Sequence, residues 1–188
     1  MKLEFTVDRN KLSHPLCIRA RDFSWEAHKN HKRKYTNEPY FNHLQEVAEI
    51  VSSVPSSTPE MIAAAYCHDT VEDVGVTLEQ IEKEFGLTVR AYVQDLTDVS
   101  KKSDGNRIAR KKIDLEHTAQ ALPCSKTIKL ADLISNSKSI VEHDAGFAIV
   151  YLKEKNALLQ VLTEGDQELY QKAFDLLQYN KKLLDIRI

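Results

Sequence analysis

Glycine and proline are scarce in this 188-residue sequence, five of each, so few positions force a turn and long stretches are left for regular structure. Cysteine is scarcer still. Cys17, Cys67 and Cys124 are odd in number and form no C-x-x-C pair, which excludes a disulfide frame or a zinc knuckle and fits reduced thiols in a cytoplasmic protein. Neither sign of charge is in excess: 26 basic residues face 28 acidic ones. That balance excludes a bulk electrostatic binder of nucleic acid or of a membrane surface, while a small anionic ligand needs only a local cluster. No run approaches the roughly 18–20 apolar residues of a membrane span. The opening "MKLEFTVDRNKLSHP" has no apolar core of signal-peptide length. The expectation is one cytoplasmic domain over residues 1–188 with a single sizeable core. Nothing in the sequence specifies an oligomer.

What is present is apolar residues at helical spacing. Pro15 opens a segment reaching toward Lys34, and Pro39 begins "PYFNHLQEVAEIV", where Tyr40, Leu44, Val47 and Val51 recur at three- and four-residue steps. Thr58 followed by Pro59 reads as an N-cap and first helical position. "TLEQ" has capping-box spacing from Thr77 to Gln80, with Gly86 just past the helix end, and Val89, Tyr92, Val93 and Leu96 continue a helical face. After the polar loop 97–106, helices are expected at about 106–121, 125–143, 146–164 and 166–184. No strand alternation or internal repeat appears. The predicted class is all-α, a bundle of about eight helices.

The charges are the anomaly. In "AAYCHDTVEDVG", residues 64–75, a run built for burial ends in His68, Asp69, Glu72 and Asp73. Buried charges are costly unless something compensates them. On one continuous helix Glu72 shares a face with His68, and Asp73 with Asp69. His43 lies on the apolar stripe between Tyr40 and Val47, and Asp132 stands amid core residues in "KLADLIS", with Asn136 one turn on. Imidazoles and carboxylates without a thiolate suit a divalent ion, with manganese, iron or magnesium favoured over structural zinc. The same residues also admit plain salt bridges, His68 to Asp132, with Glu72 and Asp73 solvated. Near Gly75, however, both carboxylates would sit at a helix C-terminus, where the dipole is already negative.

Four segments in order carry a resemblance: "HKNHKRKYTNEPYFNHLQEVAEIV" at 28–51, "AAAYCHDTVEDVGVTLEQIEKEFG" at 63–86, "LTDVSK" at 96–101 and "KLADLISN" at 129–136. Together the sequence resembles the HD-domain phosphohydrolases, in their RelA/SpoT-type (p)ppGpp hydrolase branch, and among these the stand-alone small alarmone hydrolases without a synthetase domain. The motif-bearing core covers about residues 20–160, with a C-terminal helix at about 166–184. The resemblance implies His43, His68, Asp69 and Asp132 as metal ligands, usually for Mn²⁺, and Glu72 and Asp73 as the catalytic acidic pair. It also implies Arg33, Lys34, Asn136 and Tyr151 as nucleotide contacts. The implied reaction is hydrolysis of the 3′-pyrophosphate of guanosine tetra- or pentaphosphate, releasing pyrophosphate and GDP or GTP. A small nucleotide is then the partner, with no nucleic acid and no membrane.

A divalent ion in such a site acidifies water toward neutral pH and screens phosphoryl oxygen charge. Crowded carboxylates predict a raised pKa on one of them. Lys101 and Arg110, from the basic stretch 100–112, are further candidates for the pyrophosphate. Cys67, about 100° round the helix from His68, is expected to be buried and not a ligand. Phe23 and Trp25 are expected in the core, and His28, His31, His117 and His143 on the surface or in packing. The chain departs from the family at Leu44, where proline is common after the histidine, and at Leu133 and Ser135 after "KLAD". Two other readings fit the same fold: hydrolysis of another nucleotide, such as an adenosine alarmone, the 2′-phosphate of NADPH or a nucleoside monophosphate, and a non-catalytic nucleotide-binding regulator.

Overall fold

The computed structural model describes residues 1–137 and 144–184. Among these it has only α-helices, one 3₁₀ turn at Lys102–Asp104 and an isolated bridge between Lys32 and Pro39, so the chain is all-α as expected. The helices are α1 (Arg9–Leu12), α2 (Pro15–Ala27), α3 (Phe41–Ser52), α4 (Pro59–Cys67), α5 (Thr70–Val74), α6 (Leu78–Phe85) and α7 (Leu87–Leu96). They continue with α8 (Arg107–Ala119), α9 (Pro123–Ser137), α10 (Ala145–Val161) and α11 (Gln167–Leu183). The last six residues of the helix expected at 125–143, His143 among them, lie outside the described residues. No described helix is long and apolar enough to cross a membrane. The chain divides into two compact units, Glu4–Thr97 and Asp98–Ile188 together with Met1–Leu3.

The first unit is organised around α4. Thr58 Oγ1 accepts from the Met61 N–H and Pro59 occupies the first turn, as the sequence signals require. Every residue from Met61 to Cys67 is buried, and α4 packs against α2, α3 and α7. A helix apolar on all sides belongs in a core, and Ala63–Ala65 let its neighbours come close. Thr77 and Gln80 form both halves of a capping box at the start of α6, and Gly86 closes that helix.

The second unit packs α9 against α11, and α10 against both α8 and α11. Ile128, Leu130, Leu133 and Ile134 of α9 are buried, as are Leu152, Leu159, Leu169 and Leu176. Gly165, between α10 and α11, fits because it lacks a side chain. A Cβ there would lie 2.8 Å from Leu130 Cδ1 and 3.1 Å from the backbone at Lys126 and Thr127.

Three local expectations are corrected. The first helix stops at Ala27, not near Lys34. From His28 onward the backbone pairs with itself, Arg33 N–H to the Glu38 carbonyl and Tyr40 N–H to the His31 carbonyl, both at 2.9 Å. Asn37 in that turn takes φ 59°, a conformation asparagine tolerates. The expected continuous helix through residues 63–74 is broken at His68–Asp69. Thr70 Oγ1 donates to the Cys67 carbonyl at 2.7 Å, one of the side-chain bonds that compete with helix continuation. Trp25 is 52 % exposed, so it is not core, although its ring meets Phe41 edge-on at 5.1 Å.

Candidate metal centre

The break after α4 aims the site. His43 lies on the first turn of α3, His68 at the C-terminal cap of α4 and Asp69 at the N-terminal cap of α5. His68 Nδ1 lies 2.8 Å from the Ala65 carbonyl. A carbonyl can only accept, so Nδ1 carries a proton and Nε2 is the ring atom turned toward Asp69. That Nε2 is 3.0 Å from Asp69 Oδ2, and His43 Nε2 is 3.5 Å from the same oxygen. Lone pairs directed at a carboxylate oxygen repel it unless positive charge lies between them, a proton on a ring or a cation. The 3.0 Å contact suits either one, and a single cation can serve all three atoms. Bonds of about 2.1 Å at tetrahedral or octahedral angles separate ligand atoms by roughly 3.0–3.4 Å. The donor set, two imidazoles and a carboxylate, suits a divalent first-row ion.

Tyr40 braces this group. Its hydroxyl donates to Asp69 Oδ2 at 2.7 Å, and its ring stacks on His31 at 4.1 Å and on His28 at 5.1 Å. The Arg33 guanidinium lies over the same ring, 5.6 Å from its centroid. Lys34, by contrast, is exposed and packs its ammonium over Tyr35. Burial pulls His28 down to about 4, so its imidazole is neutral near pH 7.

Glu72 and Asp73 occupy the first turn of the five-residue α5, not the end of a long helix. The dipole argument made from a continuous helix therefore does not apply. Glu72 is exposed. The Asp73 carboxyl is held above its usual range by burial and then by the charge of Asp69, which is the raised pKa expected of one member of the crowded set. Cys67 is fully buried, and burial pushes its thiol up to about 12, far from a ready thiolate ligand.

The remaining candidates lie in the second unit. Asp132, buried on α9, takes a hydrogen bond from Asn136 Nδ2 at 2.6 Å and an ion pair from Lys129 Nζ at 3.2 Å. Tyr151 meets Ser137 Oγ at 3.3 Å, and the Lys155 ammonium lies 5.1 Å from the centre of its ring. Burial lowers the Lys155 pKa. Lys101 is exposed and its N–H bonds Asp104 Oδ2 at 2.6 Å. Arg110 is half-buried, with its Nε shielded from water and no acceptor beside it among the described residues. Sequence reading missed Tyr40 and Lys129, while His28 and His31 stand in packing against Tyr40, as expected. The available signals were Tyr40 one turn before His43 and Lys129 one turn before Asp132, spacings that place side chains on one helical face.

Known proteins are similar to this chain. A family model described as HD domain matches residues 20–147. The guanosine-3′,5′-bis(diphosphate) 3′-pyrophosphohydrolase MESH1 of Xenopus tropicalis is 36% identical over 127 residues, 66% of this chain and 69% of that protein. The Homo sapiens MESH1 is 34% identical over 65% of this chain and 68% of its own, and that of Danio rerio 35% identical over 70% and 72%. A solved structure, of a metazoan ortholog of SpoT that hydrolyzes ppGpp and plays a role in starvation responses, superposes with a TM-score of 0.80 at 25% identity, covering 88% of this chain and 96% of that one. The chain belongs to the HD-domain family, as a phosphohydrolase related to the MESH1 pyrophosphohydrolases.

Proposed function

We propose that this protein hydrolyses the 3′-pyrophosphate of guanosine tetra- and pentaphosphate with Mn²⁺ bound by His43, His68 and Asp69. The observation that carries the reading is the approach of His43 Nε2 and His68 Nε2 to one Asp69 oxygen, at 3.5 and 3.0 Å. Asp132 is proposed as a fourth protein ligand on the strength of the "KLAD" match, and Lys129 and Asn136 hold its carboxylate ready. When bound, the ion supplies Lewis acidity, lowering the pKa of water and screening phosphoryl oxygens.

The chain's own residues do the rest. His68 is kept in one tautomer by the Ala65 carbonyl, and Tyr40 fixes the Asp69 carboxylate. Water attacks the phosphorus attached to the 3′-oxygen; a P–O bond forms to it and the bond from phosphorus to the 3′-oxygen breaks. Glu72 and Asp73 handle the two protons involved, one leaving the water and one reaching the 3′-oxygen. Arg33 and Lys34, with Arg110, Lys101, Asn136 and Tyr151, are proposed to contact the nucleotide and its phosphates. The buried thiols Cys17 and Cys67 fit a reducing, cytoplasmic setting.

Product analysis after incubation with ppGpp and with ppApp, with and without Mn²⁺, tests the reading. Pyrophosphate with GDP is expected, and a Glu72→Gln, Asp73→Asn double variant should be at least 10²-fold slower. Orthophosphate as the product, or turnover of the adenine compound alone, would replace the substrate assignment. Binding without turnover would replace the enzyme reading.

A further inference from the structure

A second group of possible ligands stands beside the first. His28, at the end of α2, His31, in the following turn, and Asp73, in α5, bring one ligand atom each within 4.8 Å of one another. The Nδ1 atoms of His28 and His31 are 3.1 Å apart, and His31 Nδ1 is 3.8 Å from Asp73 Oδ2. The first separation is that of ligands sharing one ion at bonds of about 2.1 Å, and the second exceeds that range by about 0.4 Å, a gap a side-chain rotation closes. The rings are oriented by packing: both lie nearly parallel to Tyr40, at 12° and 8°. His28 is 1 % exposed, and its Nε2 is enclosed with no hydrogen-bond partner. The side chains of His31 and Asp73 are each 34 % exposed, which leaves an open side for entry and for water ligands.

We propose that His28, His31 and Asp73 form a second divalent-cation site, of the two-imidazole, one-carboxylate class that takes Zn²⁺ and neighbouring first-row ions. A hydrogen bond between the two rings accounts for the 3.1 Å contact alone. It does not reach Asp73, whose Oδ2 faces His31 Nδ1 at 3.8 Å. A cation serves all three groups at once. The neutral His28 imidazole needs to lose no proton to ligate. Tyr40 forms the shared wall, with its ring on the histidines and its hydroxyl on Asp69. Filling this site would set a second positive centre beside the first, where a phosphate-rich substrate would meet it. The inference does not depend on the first centre being occupied.

Metal stoichiometry tests it. The full chain, stripped with chelator, is titrated calorimetrically with Zn²⁺ and with Mn²⁺, and bound metal is counted by mass spectrometry after gel filtration. The wild type should bind two equivalents. His31→Gln and Asp73→Asn should each lose the same one or weaken it at least tenfold, and His43→Ala should lose the other. Circular dichroism reports whether His31→Gln is folded, and Asp73→Asn, at a partly exposed position, carries the test if it is not. One equivalent in the wild type, unchanged in both variants and lost in His43→Ala, overturns the second site and leaves the first standing. Two equivalents indifferent to both variants, or none at all, also overturn it.

Discussion

Tyr40 Oη donates to Asp69 Oδ2 across 2.7 Å, and the same oxygen is faced by His43 and His68. One phenol from the start of α3 thus fixes the carboxylate on which two histidines converge. Outer partners of this kind orient ligands, and losing one typically costs about 10–100-fold in metal affinity. Tyr40→Phe keeps the ring stacked on His28 and His31 and removes only the hydroxyl. Titration with Mn²⁺ should show an affinity lower by about that factor, with thermal stability of the apo protein nearly unchanged. Unchanged affinity would mean the hydroxyl does not position Asp69.

The buried His28 makes a prediction about acid. Its pKa is lowered by burial from 6.5 to about 4 in the folded chain, so the unfolded chain binds the proton first as pH falls. Stability from this group is complete above about pH 6.5 and is lost as pH drops toward 4, by on the order of 3 kcal/mol in all. Urea unfolding of metal-free protein at several pH values between 7 and 5, ahead of most carboxylate titration, should show the decline. His28→Gln should flatten it; an equal slope in the variant would assign the decline elsewhere.

Gly165 is predicted to reject a methyl group. Its Cβ would press on Leu130 Cδ1 at 2.8 Å, a side chain that can shift, but also on the backbone of Lys126 and Thr127 at 3.1 Å, which cannot do so cheaply. Gly165→Ala should therefore destabilise by about 1–3 kcal/mol in denaturant unfolding, with the metal affinity of His43, His68 and Asp69 unaffected. No loss of stability would show that α9 yields at this point.

The N-cap of α4 gives a smaller effect on the helix that leads to His68. Thr58→Ala removes the acceptor for the Met61 N–H and should cost about 1 kcal/mol. Thr58→Ser should restore most of it, which separates the hydrogen bond from packing.

Local signals were legible where the physics is local. Thr58–Pro59 and the Thr77–Gln80 box depend on a few adjacent residues, and each helix begins where those residues place it. The end of α2 was not legible, because it depends on a turn whose bonds to Glu38 and His31 become visible only when the chain folds back. The break at His68–Asp69 was hidden for a similar reason: "MIAAAYCHDTVEDV" reads as one continuous helix, and Thr70 turning its hydroxyl to the Cys67 carbonyl leaves no mark in the spacing. For the site, buried charge and resemblance led to His43, His68, Asp69 and Asp132 as one set; the first three stand together, and Asp132 lies on α9 in the second unit. The stack of His28 and His31 on Tyr40 was not legible, since an aromatic on an apolar stripe and histidines beside lysines look ordinary until their rings are seen together.

The central claim is that His43 and His68, with Asp69, hold a divalent ion. Diffraction from crystals soaked in Mn²⁺, collected at the manganese absorption edge, tests it most directly. An anomalous peak about 2.0–2.3 Å from His43 Nε2, His68 Nε2 and an Asp69 carboxylate oxygen is the predicted result. Saturating Mn²⁺ with no peak between these three atoms, or a peak held by other residues alone, would contradict it.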